Sequence, residues 1–154
     1  MMKATLQNFA TSLWVASATL VLIGCKSMDQ PNSASFASVR IQGHTAEQIR
    51  AATVVVFQQN GYLAVGGRSE MVFEREGSRW DQIAYGGFVD DAFVWVRVRV
   101  SMVPLSEGVF RLQCQAFKVR DKGDSVFEQQ VRLKNNHSKP YQALLDKVLG
   151  QVNR

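Results

Sequence analysis

Two histidines, His44 and His137, and two cysteines, Cys25 and Cys114, are the residues of this 154-residue chain best suited to proton transfer, nucleophilic attack or soft-metal ligation. Their contexts support none of these roles. His44 stands beside a helix start, and His137 lies in the polar run Asn135-Asn136-His137-Ser138. No Ser or Cys has the local setting of an activated nucleophile. Cys114 falls on the apolar side of an alternating segment and reads as a small buried hydrophobe. Asp90-Asp91 offers too few oxygens for calcium. Gly66-Gly67 and Gly86-Gly87 lack the lysine and the spacing of a phosphate loop, so they read as turns or bulges. No catalytic residue, metal or cofactor is expected, and the reading is of a protein that is not an enzyme.

Binding chemistry is better represented. Alternation along three segments gathers Trp95, Arg97, Arg99, Arg111, Gln113, Gln115, Phe117, Gln130 and Arg132 on one sheet face. Guanidinium forks beside aromatics and amides suit carboxylates, phosphates or a protein interface. The same residues also suit a plain solvated face, where Arg and Gln keep strands soluble.

The elements that must position this face follow from periodicity. Val39–Gly43 alternates and predicts a first strand. Thr45 with Gln48 forms a capping box, Ala46, Ile49, Ala52/Thr53 and Val56/Phe57 recur at helical spacing, and Asn60-Gly61 closes the helix. A strand at Tyr62–Val65 and a turn at Gly66-Gly67 follow. Met71–Glu76 and Arg79–Tyr85 flank Gly77-Ser78, a pair suited to a hairpin turn. That pairing sets Glu74 opposite Asp81, so a neighbouring arginine is expected between them. Val94, Val96, Val98, Val100 and Met102 share one face of Ala92–Met102. Phe110, Leu112, Cys114 and Ala116 do the same in 109–120. Matching these faces predicts pairs Val98–Cys114 and Val100–Leu112, with 104–108 as the loop. In a last strand, Ser125–Leu133, Phe127, Val131 and Leu133 are expected in the core, with the phenylalanines at 57, 73, 88, 93 and 110. Ser138 caps a final helix with Pro140 in its first turn, and Tyr141, Leu144, Leu145, Val148 and Val152 form its apolar stripe. The order β-α-β-β-β-β-β-α predicts an α+β fold, an antiparallel sheet of five to six strands with two helices on one face.

The amino terminus is of a different kind. Lys3 precedes Leu13–Ile23, 11 residues without a charge, too short to span a bilayer but suited to an export signal. Leu22-Ile23-Gly24-Cys25 follows and resembles the bacterial lipobox. The resemblance implies cleavage between Gly24 and Cys25, a diacylglyceryl thioether on the Cys25 thiol and acylation of the new amine. Two or three acyl chains hold a protein stably at a membrane where one does not. Lys26 stands where an enterobacterial inner-membrane retention signal would place Asp, which implies the periplasmic face of the outer membrane. The expected organisation is a lipoprotein signal peptide (1–24), the lipidated Cys25 with a Ser-rich tether (25–38), and one periplasmic domain (39–154). The order of elements resembles helix-grip domains of outer-membrane assembly lipoproteins.

The formal charge of +5 and pI near 9.5 would suit nucleic acid in another compartment. At an envelope they suit lipid headgroups, glycan carboxylates or a protein, and no nucleic-acid partner is expected. The expected function is a lipid-anchored, non-enzymatic envelope module that contacts membrane lipid through its anchor and a protein through the Trp95/Arg97/Arg99 face. The alternative is a carrier of a small ligand or lipid headgroup, with a pocket between helices and sheet lined by Tyr62, Phe73 or Phe88. Oligomeric state is left open.

Overall fold

The computed structural model describes residues 36–67, 70–78 and 94–154. Their order is β1 (Ala37–Gln42), α1 (Ala46–Gln59), β2 (Leu63–Gly66), β3 (Met71–Glu76), β4 (Trp95–Ser106), β5 (Val109–Arg120), β6 (Gln129–Arg132) and α2 (Lys139–Val152). A 3-10 turn at Asn135–His137 precedes α2. The strands form one antiparallel sheet in the order β1-β5-β4-β3-β2. One edge of β5 is shared, with β1 pairing Val109–Cys114 and β6 pairing Phe117–Arg120. Among the described residues the fold is α+β, six strands and two helices.

Period-two burial decides which face of the sheet is covered. Val96, Val98 and Val100 of β4 are wholly buried, whereas Trp95, Arg97 and Arg99 between them are half-buried. Ile49, Val56 and Phe57 of α1 and Leu144, Leu145 and Val148 of α2 join those valines in one core, so both helices lie on the same face. The ring of Phe57 stacks on Phe73 with centroids 4.3 Å apart and meets Tyr62 at 5.4 Å.

α1 starts as its sequence predicts. Gln48 N–H donates to Thr45 Oγ1 at 3.2 Å, and the Thr45 N–H donates to Gln48 Oε1 at 2.8 Å. Gly61, at φ +81°, carries the chain out of the helix. The β-branched run Val54–Val56 stays helical because both ends are capped and Val56 is buried. At α2 the capping expectation fails. Ser138 is itself helical and its side chain makes no capping bond. Its carbonyl accepts from Tyr141 N–H and Gln142 N–H instead, with Pro140 in the first turn.

Further expectations are corrected. The β4–β5 register is Val98 to Ala116 and Val100 to Cys114, two residues from the predicted pairs. The strands run on through Pro104 to a tight Glu107-Gly108 turn, with an irregularity between Pro104 and Ser106, so the five-residue loop does not form. β3 pairs β2 at Val72–Glu74 on one edge and β4 along Met71–Glu76 on the other. Arg79–Tyr85, Asp90-Asp91, Gly86-Gly87, Phe88 and Phe93 themselves lie outside the described residues.

The final strand is shorter than predicted. Asp124 Oδ1 accepts from the N–H groups of Val126 and Phe127, which holds them in a turn. Phe127 and Val131 are therefore exposed, at 65% and 50%, and of the three expected core residues only Leu133 is buried. The packed domain also begins earlier than residue 39. Phe36, Ala37 and Ser38 are buried, the Phe36 ring lies 5.3 Å from that of Tyr141, and Gln142 bonds to both the N–H and the carbonyl of Ser38. Residues 36–38, expected in the tether, thus belong to the packed domain. Gly24, Cys25 and the rest of residues 1–35 lie outside the described residues.

Candidate functional site: the helix-free sheet face

β4 and β5 supply the centre of the face opposite the helices. Their register sets Trp95 beside Val119, Arg97 beside Phe117, Arg99 beside Gln115, Ser101 beside Gln113 and Val103 beside Arg111. β6 adds Arg132 next to Phe117, and β1 adds Arg40 directly opposite Arg111. Every predicted member of the face is therefore brought together, Gln130 included. Arg40 was missed, although the alternation Val39-Arg40-Ile41-Gln42 already assigns it to the polar side.

One half of this face is closed by ion pairs. Arg97 Nε donates to Glu74 Oε1 at 2.5 Å, and its Nη1 donates to Glu128 Oε1 at 2.7 Å. Lys122 Nζ reaches Glu74 Oε2 at 2.6 Å and stands 3.5 Å from the centroid of the Trp95 ring. Glu128 also accepts from Gly123 N–H and from the Gln130 amide. The 121–128 turn is thereby folded back over β3 and β4. Glu74 is left 3% exposed and Val119 wholly buried beneath it. Arg97, expected on the binding face with Trp95 and Arg99, has its guanidinium engaged by Glu74 and Glu128.

The electrostatics agree. Burial alone would raise the Glu74 carboxyl, but hydrogen bonds from Lys122 and Arg97, with their charges, hold it below its ordinary value. Burial opposes the charge on Arg97 too, and Glu128 and Glu74 outweigh it, so the guanidinium is held more firmly protonated. Glu128, bonded by Arg97, Gly123 N–H and Gln130, is held down to about 2.

The sequence contained one signal for this network. An arginine was expected between Glu74 and Asp81; Arg97 does bond Glu74, while Asp81 lies outside the described residues. Glu128 and Lys122 were missed as its other members. They arrive through the path of the 121–128 turn, which strand alternation cannot report.

The other half of the face stays open. Arg99 lies with its Cζ 5.0 Å from the Phe117 ring centroid and donates to Gln130 Oε1 at 3.1 Å. Gln113 donates to Ser101 Oγ at 3.3 Å, and Gln115 is exposed. Arg40 and Arg111 are direct cross-strand neighbours, which puts two guanidiniums side by side on this face. Where the two halves meet, an open groove of about 480 Å³ runs along Arg99, Arg97, Glu74, Val72, Glu70 and Gly66-Gly67.

At the helix–sheet interior, two of the three residues proposed for a pocket are packed into the core. Tyr62 is 4% exposed and Phe73 is fully buried against Phe57. Phe88, the third residue of that proposed pocket, lies outside the described residues. His44 Nε2 is 3.0 Å from Asn153 Oδ1, tying the start of α1 to the end of α2. Cys114 is buried, and burial pushes its thiol up to about 12. Among the described residues no group of three or more His, Cys, Asp or Glu is placed to hold a metal. None of their helices is long and apolar enough to cross a membrane.

No protein-family model matches the chain, and no curated protein matches it. Among solved structures, it is similar to the adenylate sensor from AMP-activated protein kinase, crystallised with 5-aminoimidazole-4-carboxamide 1-beta-D-ribofuranotide. The TM-score is 0.44 and the identity 14%, over 75% of this chain and 94% of that one. A likeness of that strength adds nothing to what the geometry says about function.

Proposed function

We propose that the chain is a lipid-anchored, non-enzymatic binding module of the bacterial cell envelope. It meets an acidic partner protein with the open half of its helix-free sheet face. The observation that carries this reading is the placement of Arg40 opposite Arg111, with Arg99 on the same face and both helices on the other. Three guanidiniums on a sheet surface that neither helix covers, with Gln113, Gln115 and Phe117 between them, combine directional donors with apolar contact. The lipobox-like Leu22-Ile23-Gly24-Cys25 supports the anchor. Anchoring favours a weak contact by raising the local concentration of the two partners, to about the millimolar range for short tethers. Packing of Tyr62 and Phe73 into the core favours this face over a ligand pocket between helices and sheet.

A photo-crosslinking residue at position 115, exposed and beside Arg99, tests the proposal in cells. The expected result is a discrete protein adduct through an acidic segment of the partner, lost in an Arg99→Glu, Arg111→Glu background. No adduct from correctly localised protein, or one insensitive to both charge reversals, returns the face to solvent. The anchor is read separately, since Cys25→Ser should abolish fatty-acid labelling and membrane partitioning.

A further inference from the structure

Arg97 and Arg99 share one face of β4, but they are held in opposite ways. Arg97 is bonded to two carboxylates, those of Glu74 and Glu128. Arg99 is held by neutral groups. Its Nη2 donates to Gln130 Oε1 at 3.1 Å, and its Cζ lies 5.0 Å from the centroid of the Phe117 ring. Among the described residues no carboxylate pairs with it. The Gln130 amide fits in one orientation, because its Nε2 donates to Glu128 Oε1 at 3.1 Å while its oxygen faces the guanidinium. Gln130 thereby fixes Arg99 in place and leaves its charge uncompensated.

Arg99 lines the open groove of about 480 Å³, a size common among ligand-holding clefts. Beside it the groove is apolar and bare. Val72 lies directly opposite Arg99 across the β3–β4 ladder and is half-buried. Val65, 48% exposed, lines the groove at the irregularity in β2. Gly66 presents backbone alone, and a Cβ there would meet nothing within 4 Å, so no side chain fills that stretch. The acids of the groove do not compensate Arg99. Glu74 is bonded to Arg97 and Lys122, and Glu70 is exposed, where it repels a second negative charge. Being open, the groove does not enclose a small molecule as a ligand cavity does, and it suits a stretch of chain lying along it.

We propose that this groove reads a single carboxylate carried next to a branched aliphatic side chain in an extended segment of the partner protein. The acid meets the Nε and Nη1 donors of Arg99 that Gln130 does not use, and the aliphatic group covers Val65 and Val72. Gln130 and Phe117 are positioning residues for Arg99. The proposal rests on the acidic partner proposed above and names where on the face its acid is read.

The test uses the full chain carrying Cys25→Ser, isotopically labelled on nitrogen and titrated with N-acetyl-glutamyl-leucinamide. The amide signals of Gly66 and Gly67 and the Nε–H signal of Arg99 report binding. N-acetyl-glutaminyl-leucinamide, the same dipeptide without its charge, is the comparison. The expected result is a shift of all three signals, with the glutamyl form bound about 10-fold more tightly, as for one charge-assisted hydrogen-bonded pair. Arg99→Gln should abolish that preference. Arg50→Gln, the same loss of charge on an exposed residue of α1, should leave it intact. Gln130→Glu sets a carboxylate against Arg99 and should bring the preference toward unity, whereas a merely structural Gln130 would leave it unchanged. Gln130→Met frees Arg99 without neutralising it and should fall between, at about 3-fold. Equal binding of the two dipeptides overturns the proposal, as does a preference that survives Arg99→Gln. Shifts confined to Arg40 and Arg111 overturn it too, and place the acid at the other end of the face. If crosslinking from position 115 captures a partner while the dipeptides are bound equally, the groove fails and the partner reading stands. A glutamyl preference without any crosslink is the reverse.

Discussion

Glu74 of β3 and Arg97 of β4 are direct cross-strand neighbours, and the carboxylate between Arg97 and Lys122 is 3% exposed. Two cations converge on one acid beneath a turn. The pairing is thus a clamp, holding residues 121–128 against the sheet and removing Arg97 from the solvent-facing charge.

Truncating the acid should therefore cost more than removing an ordinary surface carboxylate. In Glu74→Ala, Arg97 retains Glu128 but Lys122, over the Trp95 ring, loses its ion pair with Glu74. A loss of about 2–3 kcal/mol is expected, in the range for buried charge-assisted hydrogen bonds. Urea unfolding measures it, and faster amide exchange at Gly123 should accompany it because Glu128 accepts that N–H. A loss within about 0.5 kcal/mol, the surface norm, would sink the clamp.

The same network sets an acid limit. Glu128 is held down to about 2 by Arg97, Gly123 N–H and Gln130, and Glu74 is also lowered, from an ordinary value of 4.5. A carboxylate lowered on folding stabilises fully above its unfolded value, and that contribution fades as pH falls through the folded one. Stability should therefore decline between about pH 4.5 and pH 2. Chemical denaturation across that range should show a shallower slope for Glu128→Gln. An unchanged slope would mean that Glu128 titrates as an ordinary surface acid.

Much of the fold was legible because each strand's alternation reports its own faces. The clearest case is β4, where Val96, Val98 and Val100 are buried in the order predicted. The register was not legible to the same degree. A slip of two residues preserves every face, so apolar matching cannot tell Val98–Cys114 from the observed Val98–Ala116. The turn length decides it, and Pro104 disguised a strand as a loop. Phe127 and Val131 show a related limit. Alternation marked them as one apolar face, but the helices pack over β1, β2 and β5, and Asp124 holds residues 126–127 in a turn. At the site, residue type placed Arg99, Arg111, Gln113, Gln115 and Phe117 correctly. It could not show that Arg97 is neutralised, because Glu128 reaches it from 31 positions away.

Cys114 offers a check on the core that is independent of charge. It is 2% exposed at the point where β5 exchanges β1 for β6, opposite Val100 and Ala37. Burial pushes its thiol from 9.0 up to about 12, which lowers the thiolate fraction at neutral pH about a thousandfold. In the Cys25→Ser chain, native protein should therefore react with a thiol reagent only when β5 opens. Labelling should then rise with denaturant in step with unfolding, and saturate at one thiol. A raised thiol also has an alkaline consequence of opposite sign to the carboxylates. Its contribution is complete below 9.0 and is lost as pH climbs toward about 12, so stability should fall across that range. Cys114→Ala removes the alkaline dependence but leaves a cavity, whereas Cys114→Val replaces the thiol with a second apolar branch. Flattening of the alkaline limb in both variants would identify the thiol as its source. Rapid labelling of the native protein at neutral pH would show instead that the β1–β5–β6 junction opens far more readily than its packing implies.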